Sequence, residues 1–173
     1  GTLQTGTDYS GNGNHLTLGA TTEVSTDDPA YTGTAWMFDG GDYLLCNGLR
    51  DALKGKTGFS LLVVANSTTK VAKAGLLAGL GGGATAGSGM NLLDSTNGSA
   101  DADSVYFAVS DGSTTCKVEL SGRLTSTLKI VVCRFIGGTE ISIRGRTTAW
   151  TKTTTGVVAN MVANPTDSWG VGA

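Results

Sequence analysis

The chain has 173 residues, a formal net charge of −2 and charged side chains at only 15% of positions, so it offers no basic field for a polynucleotide or an anionic membrane surface. Glycine fills 27 positions and proline 2, and threonine and serine are abundant. That mixture fits strands joined by glycine turns and argues against a helical bundle or a proline-rich tail. The length is that of one domain able to bury a core without disulfides, so residues 1–173 read as a single all-β unit. No apolar run approaches the length of a membrane span, and membrane insertion is not expected.

Residues 1–7 carry no apolar period and read as a loop. The run Asp8-Tyr9-Ser10-Gly11-Asn12-Gly13-Asn14-His15 is dense in turn formers. Its Asp and Ser side chains can bond nearby backbone, Gly11 and Gly13 suit positive φ, and His15-Leu16-Thr17-Leu18 launches a strand. The same oxygens could hold Ca²⁺, but the spacing is not that of an EF-hand loop, and the turn is the leading reading. His15, the only histidine, reads as a hydrogen-bonded structural residue. Residues 34–46, TAWMFDGGDYLLC, read as two short strands joined by Asp39-Gly40-Gly41-Asp42. Trp36 and Phe38 share one face of the first, Tyr43 and Leu45 one face of the second. A strand face bounded by turns is expected to point inward, which makes Trp36 and Phe38 core residues and Trp36→Ala a severe truncation.

Residues 49–54 have room for about one helical turn, closed by Gly55. Residues 59–66, FSLLVVAN, form a near-continuous apolar run, as expected of a central strand buried on both faces. A second apolar run covers 71–80. The glycine-rich stretch 81–89 lacks a following Gly-Lys-Ser/Thr and a βαβ setting, so it reads as a flexible loop and not a phosphate cradle. A strand is predicted over 90–95, a turn at Asn97-Gly98 and a polar loop tip over 101–103. Residues 104–110 alternate, with Val105, Phe107 and Val109 on one face; Asp111-Gly112 turns the chain and 116–120 alternates again, which predicts a hairpin. Residues 128–135 make the next buried strand, Gly137-Gly138 its turn, and Ile141 and Ile143 one face of the strand that returns. Cys46, Cys116 and Cys133 each lie in an apolar or strand-like run with no CxxC spacing, and read as buried free thiols; the alternative is one disulfide with one cysteine left over.

Two of these stretches, in this order, resemble the opening of a laminin-G-like domain of the concanavalin A-like lectin/glucanase superfamily. Asp8, Ser10, Gly11, Asn12, Gly13, Asn14 and His15 match that family's Asp-x-Ser-Gly-Asn-Gly-Asn-His turn. Phe38, Asp39, Gly40, Asp42 and Tyr43 match a strand ending in Phe-Asp-Gly and another beginning Asp-Tyr. Residues 59–66 resemble the family's Phe-Ser-hydrophobic strand, and Trp169-Gly170-Val171-Gly172-Ala173 its late strand. The resemblance implies a jelly-roll β-sandwich of two antiparallel sheets. It departs from the family at both ends, so the chain is expected to be a portion of a larger protein.

The superfamily includes glycanases and polysaccharide lyases, and glycoside hydrolysis needs two carboxyl groups facing across a cleft. The three glutamates, Glu23, Glu119 and Glu140, are dispersed and do not form a Glu-x-Asp-x-x-Glu strand; Glu119 and Glu140 read as solvent-facing or edge charges. One histidine without a GxSxG context supports no nucleophilic triad. The chain is therefore expected not to be an enzyme. Two readings remain. In the first it is a carbohydrate- or receptor-binding module, with Tyr9, Tyr31 and Trp150, together with Trp36, as its aromatic surface. In the second it is a structural or decoration domain of a larger assembly, such as a virion head or a phage tail fibre, with no small ligand. Either places it on a virion or extracellular surface, with a glycan, a cell-surface receptor or other subunits as partner. If Ca²⁺ binds, Asp8, Asn12, Asp39 and Asp42 are the expected ligands of a weak site. An exposed tryptophan beside a polar groove favours binding, whereas tryptophans all in the core favour structure.

Overall fold

The computed structural model describes residues 5–19, 25–39, 41–66, 75–79, 88–93, 104–121, 129–146, 148–162 and 169–172. The expected turns at Asn97-Gly98 and over 101–103, and most of the glycine-rich stretch, lie outside them. Among the described residues every strand pairing is antiparallel. The larger sheet is built from β1 (Thr5–Gly6), β2 (Leu16–Leu18), β5 (Leu44–Leu45), β7 (Gly75–Gly79), β8 (Ser88–Leu93), β9 (Ser104–Asp111), β10 (Thr115–Ser121) and β14 (Trp169–Val171). Its spatial order is β1-β2-β5-β14-β7-β8-β9-β10, so the last strand of the chain inserts beside one of the first. The smaller sheet, ordered β13-β12-β11-β6, contains β6 (Gly58–Ala65), β11 (Lys129–Ile136), β12 (Glu140–Gly145) and β13 (Thr151–Thr153). A separate pair, β3 (Ala30–Tyr31) and β4 (Trp36–Met37), and one short helix, α1 (Asn47–Leu53), complete the elements of the described residues.

Period-2 alternation drives the two sheets together. Met90, Leu92, Val105, Phe107, Val109, Val118 and Leu120 of the large sheet meet Val131, Cys133, Phe135, Ile141 and Ile143 of the small sheet in one buried cluster. Phe59 of β6 lies edge-on to Phe107 at 6.4 Å and tilted against Phe135 at 5.4 Å. Trp169 is fully buried in the same cluster. Its backbone N–H donates to Asn47 Oδ1 at 2.9 Å and its carbonyl accepts from the Cys46 N–H at 2.7 Å, which fixes β14 to the start of α1. Gly55, with φ +73°, ends the helical segment, as the sequence predicts. At one end of the molecule the segment 157–162 ties three turns together. Gly138 N–H donates to Val158 O, Met161 N–H to Lys56 O and Val162 N–H to Ser110 O. All three cysteines are free and buried.

Three expectations are corrected. Residues 59–66 are not a central strand buried on both faces: β6 pairs only with β11 among the described residues, and its outward side chains are wet, Leu62 being 66% and Val64 49% exposed. Two layers give a strand of the second sheet one inner face only. Residues 34–46 do not fold back on themselves. β4 pairs with β3, while β5 pairs with β2 and β14, so Asp39 to Asp42 carry the chain from the small hairpin into the large sheet. Trp36 and Phe38 do share a face, half-buried with Met37 exposed between them, but they lie outside the main core because their hairpin is not sandwiched between the two sheets. Phe38 packs instead on Gly172, where any Cβ would overlap its ring.

Candidate functional site

The outward face of the small sheet is a grid set by strand register. Ile130 lies opposite Val64, Val132 opposite Leu62 and Arg134 opposite Ser60. On the other side of β11, Val132 lies opposite Arg144, Arg134 opposite Ser142 and Ile136 opposite Glu140; beyond β12, Ser142 faces Lys152. One half of this face is thus aliphatic and the other polar. Trp150, two residues ahead of Lys152, stands on the polar half and is 37% exposed. The guanidinium carbons of Arg144 and Arg134 lie 4.8 and 5.2 Å from its ring centroid, within cation–π range.

Glu140 organises Arg134 and Lys152. Its Oε1 accepts from Arg134 Nη2 and, at 2.9 Å, from the hydroxyl of fully buried Ser142; its Oε2 lies 3.7 Å from Lys152 Nζ. The Arg134 hydrogen bond, followed by that of Ser142, holds the Glu140 carboxyl below its ordinary value. Glu140 is therefore an anchor for arginine and not a free edge charge. Arg144 forms no ion pair among the described residues, and Arg134 Nε is buried without a partner. The sequence marked Trp150 but missed Arg134, Arg144, Glu140, Ser142 and Lys152. The available signal was alternation: in IVVCRFI an arginine takes a position whose neighbours, Cys133 and Phe135, both point inward.

The other aromatic candidates fall elsewhere. Tyr31 and Trp36 are cross-strand partners on the β3–β4 hairpin, ring centroids 4.9 Å apart, and the Tyr31 hydroxyl donates to Gly33 O at 2.8 Å. Tyr9 is 93% exposed at the tip of its turn and makes no ring contact among the described residues.

The turn itself is organised by Asp8. Its Oδ1 accepts from Ser10 N–H at 2.7 Å, its Oδ2 from Ser10 Oγ and from Asn14 N–H, each at 2.8 Å. The Ser10 side-chain bond, then the two backbone bonds, lowers the Asp8 pKa. Asn12 bonds the same Ser10 hydroxyl, and the Asp8 N–H donates to His15 Nδ1 at 3.1 Å, the structural role expected of this histidine. Asp39 and Asp42 form a second local unit: Gly41 N–H donates to Asp39 Oδ1, and Asp39 N–H to the buried Asp42 at Oδ2. No hydrogen bond joins the two units among the described residues. Nor does any group of three or more His, Cys, Asp or Glu side chains there have the geometry to share a metal ion. A carboxylate pair the sequence did not single out, Asp27 and Asp28, closes over Gly19 and holds Ser25. Burial, and then a hydrogen bond to Asp27, raises the Tyr43 pKa.

Comparison with known protein families, curated proteins and solved structures returns no match for this chain.

Proposed function

We propose that the chain is a non-catalytic recognition module, a laminin-G-like jelly roll of the concanavalin A-like type, that binds a carbohydrate or a cell-surface receptor from a virion or extracellular surface. One observation carries the reading: Trp150 is exposed beside Arg134 and Arg144, while the other tryptophans are turned to packing, Trp169 in the core and Trp36 against Tyr31. Exposed aromatics framed by fixed polar groups are a common basis of recognition. The order of the Asp8–His15 and Phe38–Tyr43 motifs and the packing of two antiparallel sheets support the fold assignment. Against catalysis stands the commitment of Glu140 to Arg134, Ser142 and Lys152. A weak Ca²⁺ site at Asp8, Asn12, Asp39 and Asp42 remains part of the proposal, although the Asp8 oxygens already accept three hydrogen bonds.

The second reading, a decoration domain of a larger assembly, draws on the β3–β4 hairpin, a sheet of its own that leaves Tyr31 and Met37 half-exposed. A glycan array and a panel of cell surfaces, each probed with and without Ca²⁺, separate the two. Binding that is lost in Trp150→Ala while the melting temperature is kept supports recognition. Binding that is absent, or indifferent to Trp150, sinks it.

A further inference from the structure

We propose that the partner is a polypeptide segment carrying acidic and aliphatic side chains, which lies across the outward face of the small sheet; this rests on the reading of that face as the recognition surface and narrows it. The charges on the face do not balance. Among the described residues Arg134, Arg144 and Lys152 stand against Glu140 alone, and both oxygens of Glu140 are already engaged by Arg134, Ser142 and Lys152. A cationic surplus is thus concentrated on one face of a chain whose formal net charge is −2. Arg144 holds its guanidinium over the Trp150 ring with no carboxylate partner among the described residues. A guanidinium laid over an indole keeps its N–H edge free, and that edge matches a carboxylate as a two-bond fork.

The aliphatic half decides what kind of anion fits. Leu62 and Val64 are 66% and 49% exposed, and their cross-strand partners Val132 and Ile130 extend the patch towards Arg144. Two inter-strand steps, about 10 Å, separate the Leu62 column from the Arg144 column, the span of three to four residues of extended chain. A polypeptide can place a Leu or Val on the first and an Asp or Glu on the second. A neutral saccharide needs an open indole face, which the guanidinium groups at 4.8 and 5.2 Å compete for. An acidic saccharide satisfies the cations but leaves Leu62 and Val64 in water.

The test is selection from a random displayed-peptide library on the folded chain, followed by binding of one selected peptide, its Asp/Glu→Asn/Gln counterpart, a sulfated oligosaccharide and a neutral oligosaccharide. Selected peptides are expected to be enriched in Asp or Glu together with Leu, Ile or Val. Amidating the peptide, or substituting Arg144→Gln, should weaken binding about tenfold, and the loss should shrink between about 0.05 and about 0.5 M salt. Leu62→Ser should weaken it several-fold with the melting temperature unchanged. Peptides without acidic enrichment, no peptide selected at all, or an Arg144→Gln variant that binds as the parent does would overturn the proposal. If no peptide is selected but a saccharide binds in a Trp150-dependent way, the recognition face stands and its polypeptide partner falls. If neither class depends on Trp150, the recognition reading falls with it.

Discussion

Strands β6 and β9 are the same length and similarly rich in large apolar side chains, yet they treat their outward faces in opposite ways. β9 lies between β8 and β10, and its outward Tyr106 and Ala108 are buried in a second small cluster, with Lys117 Nζ 5.6 Å from the Tyr106 ring centre. β6 holds Phe59 inward against Phe107 and leaves Leu62 and Val64 to solvent. The difference teaches where this fold stores stability and where it keeps surface in reserve. Burial on both faces turns a strand into scaffold, while the wet aliphatic groups of β6 are the surface on which the proposed contact rests.

The comparison breaks first at Phe107 and Leu62. Phe107→Ala, at a fully buried site between the sheets, is expected to cost about 3–5 kcal/mol in urea or thermal unfolding, whereas Leu62→Ala should stay within about 0.5 kcal/mol of the parent. Comparable losses at the two sites would mean that β6 is covered in solution. Next in size is Gly137→Ala. The Gly137 N–H donates to Thr57 O at 2.7 Å, and an added Cβ would overlap the Ala159 carbonyl, which is backbone and cannot swing aside. A loss of about 2 kcal/mol or more is expected, since the substitution pushes apart the turns joined by segment 157–162. A neutral result would show that this end of the sandwich does not couple the sheets.

The sign reverses at Tyr106. Its hydroxyl is buried without a partner among the described residues, and burial, with Glu119 next, pushes its pKa to about 12. Removing an unpaired buried hydroxyl relieves a desolvation penalty, so Tyr106→Phe should raise stability by about 1 kcal/mol. A drop of similar size would reveal a bound water there. The smallest effect is the pH dependence of the Trp150 face. Because the folded pKa of Glu140 is depressed, its contribution is present above the ordinary value of 4.5 and is lost as pH falls through the lower folded value. The melting difference between parent and Glu140→Gln should therefore be constant near neutral pH and vanish in acid; a difference that persists at low pH would remove Glu140 from that role.

Most of the architecture was legible in residue order. The β9–β10 and β11–β12 hairpins, the strand at Leu16–Leu18, the short helix before Gly55 and the free thiols follow from alternation, turn chemistry and the absence of CxxC spacing. Period-2 patterning fails where polarity and burial part company. Ser104, Tyr106 and Ser110 look like the wet side of β9 but are buried, and Leu62 and Val64 look like the dry side of β6 but are exposed. Neither outcome follows from local sequence, because burial of an outward face is decided by contacts distant in the chain. Trp36 was misplaced for a similar reason: pairing with β3 takes it out of the two-layer core. At the candidate site the aromatic was visible as a residue type, but its company of Arg134, Arg144 and Glu140 depends on a three-strand register that no stretch of sequence displays.

The three sulfhydryls give the molecule its own stopwatch. Cys133 lies on β11 of the small sheet, Cys116 on β10 of the large one, and Cys46 where the chain enters α1. Burial pushes the Cys46 and Cys133 pKa values to about 12 and raises that of Cys116, so a thiol-directed alkylating reagent finds no ready thiolate in the closed state. Each alkylation therefore timestamps an opening event in its own part of the structure. Three equal rates would describe a body that opens all at once; a faster Cys46 would describe one that first releases the helix and β14, leaving the two sheets closed.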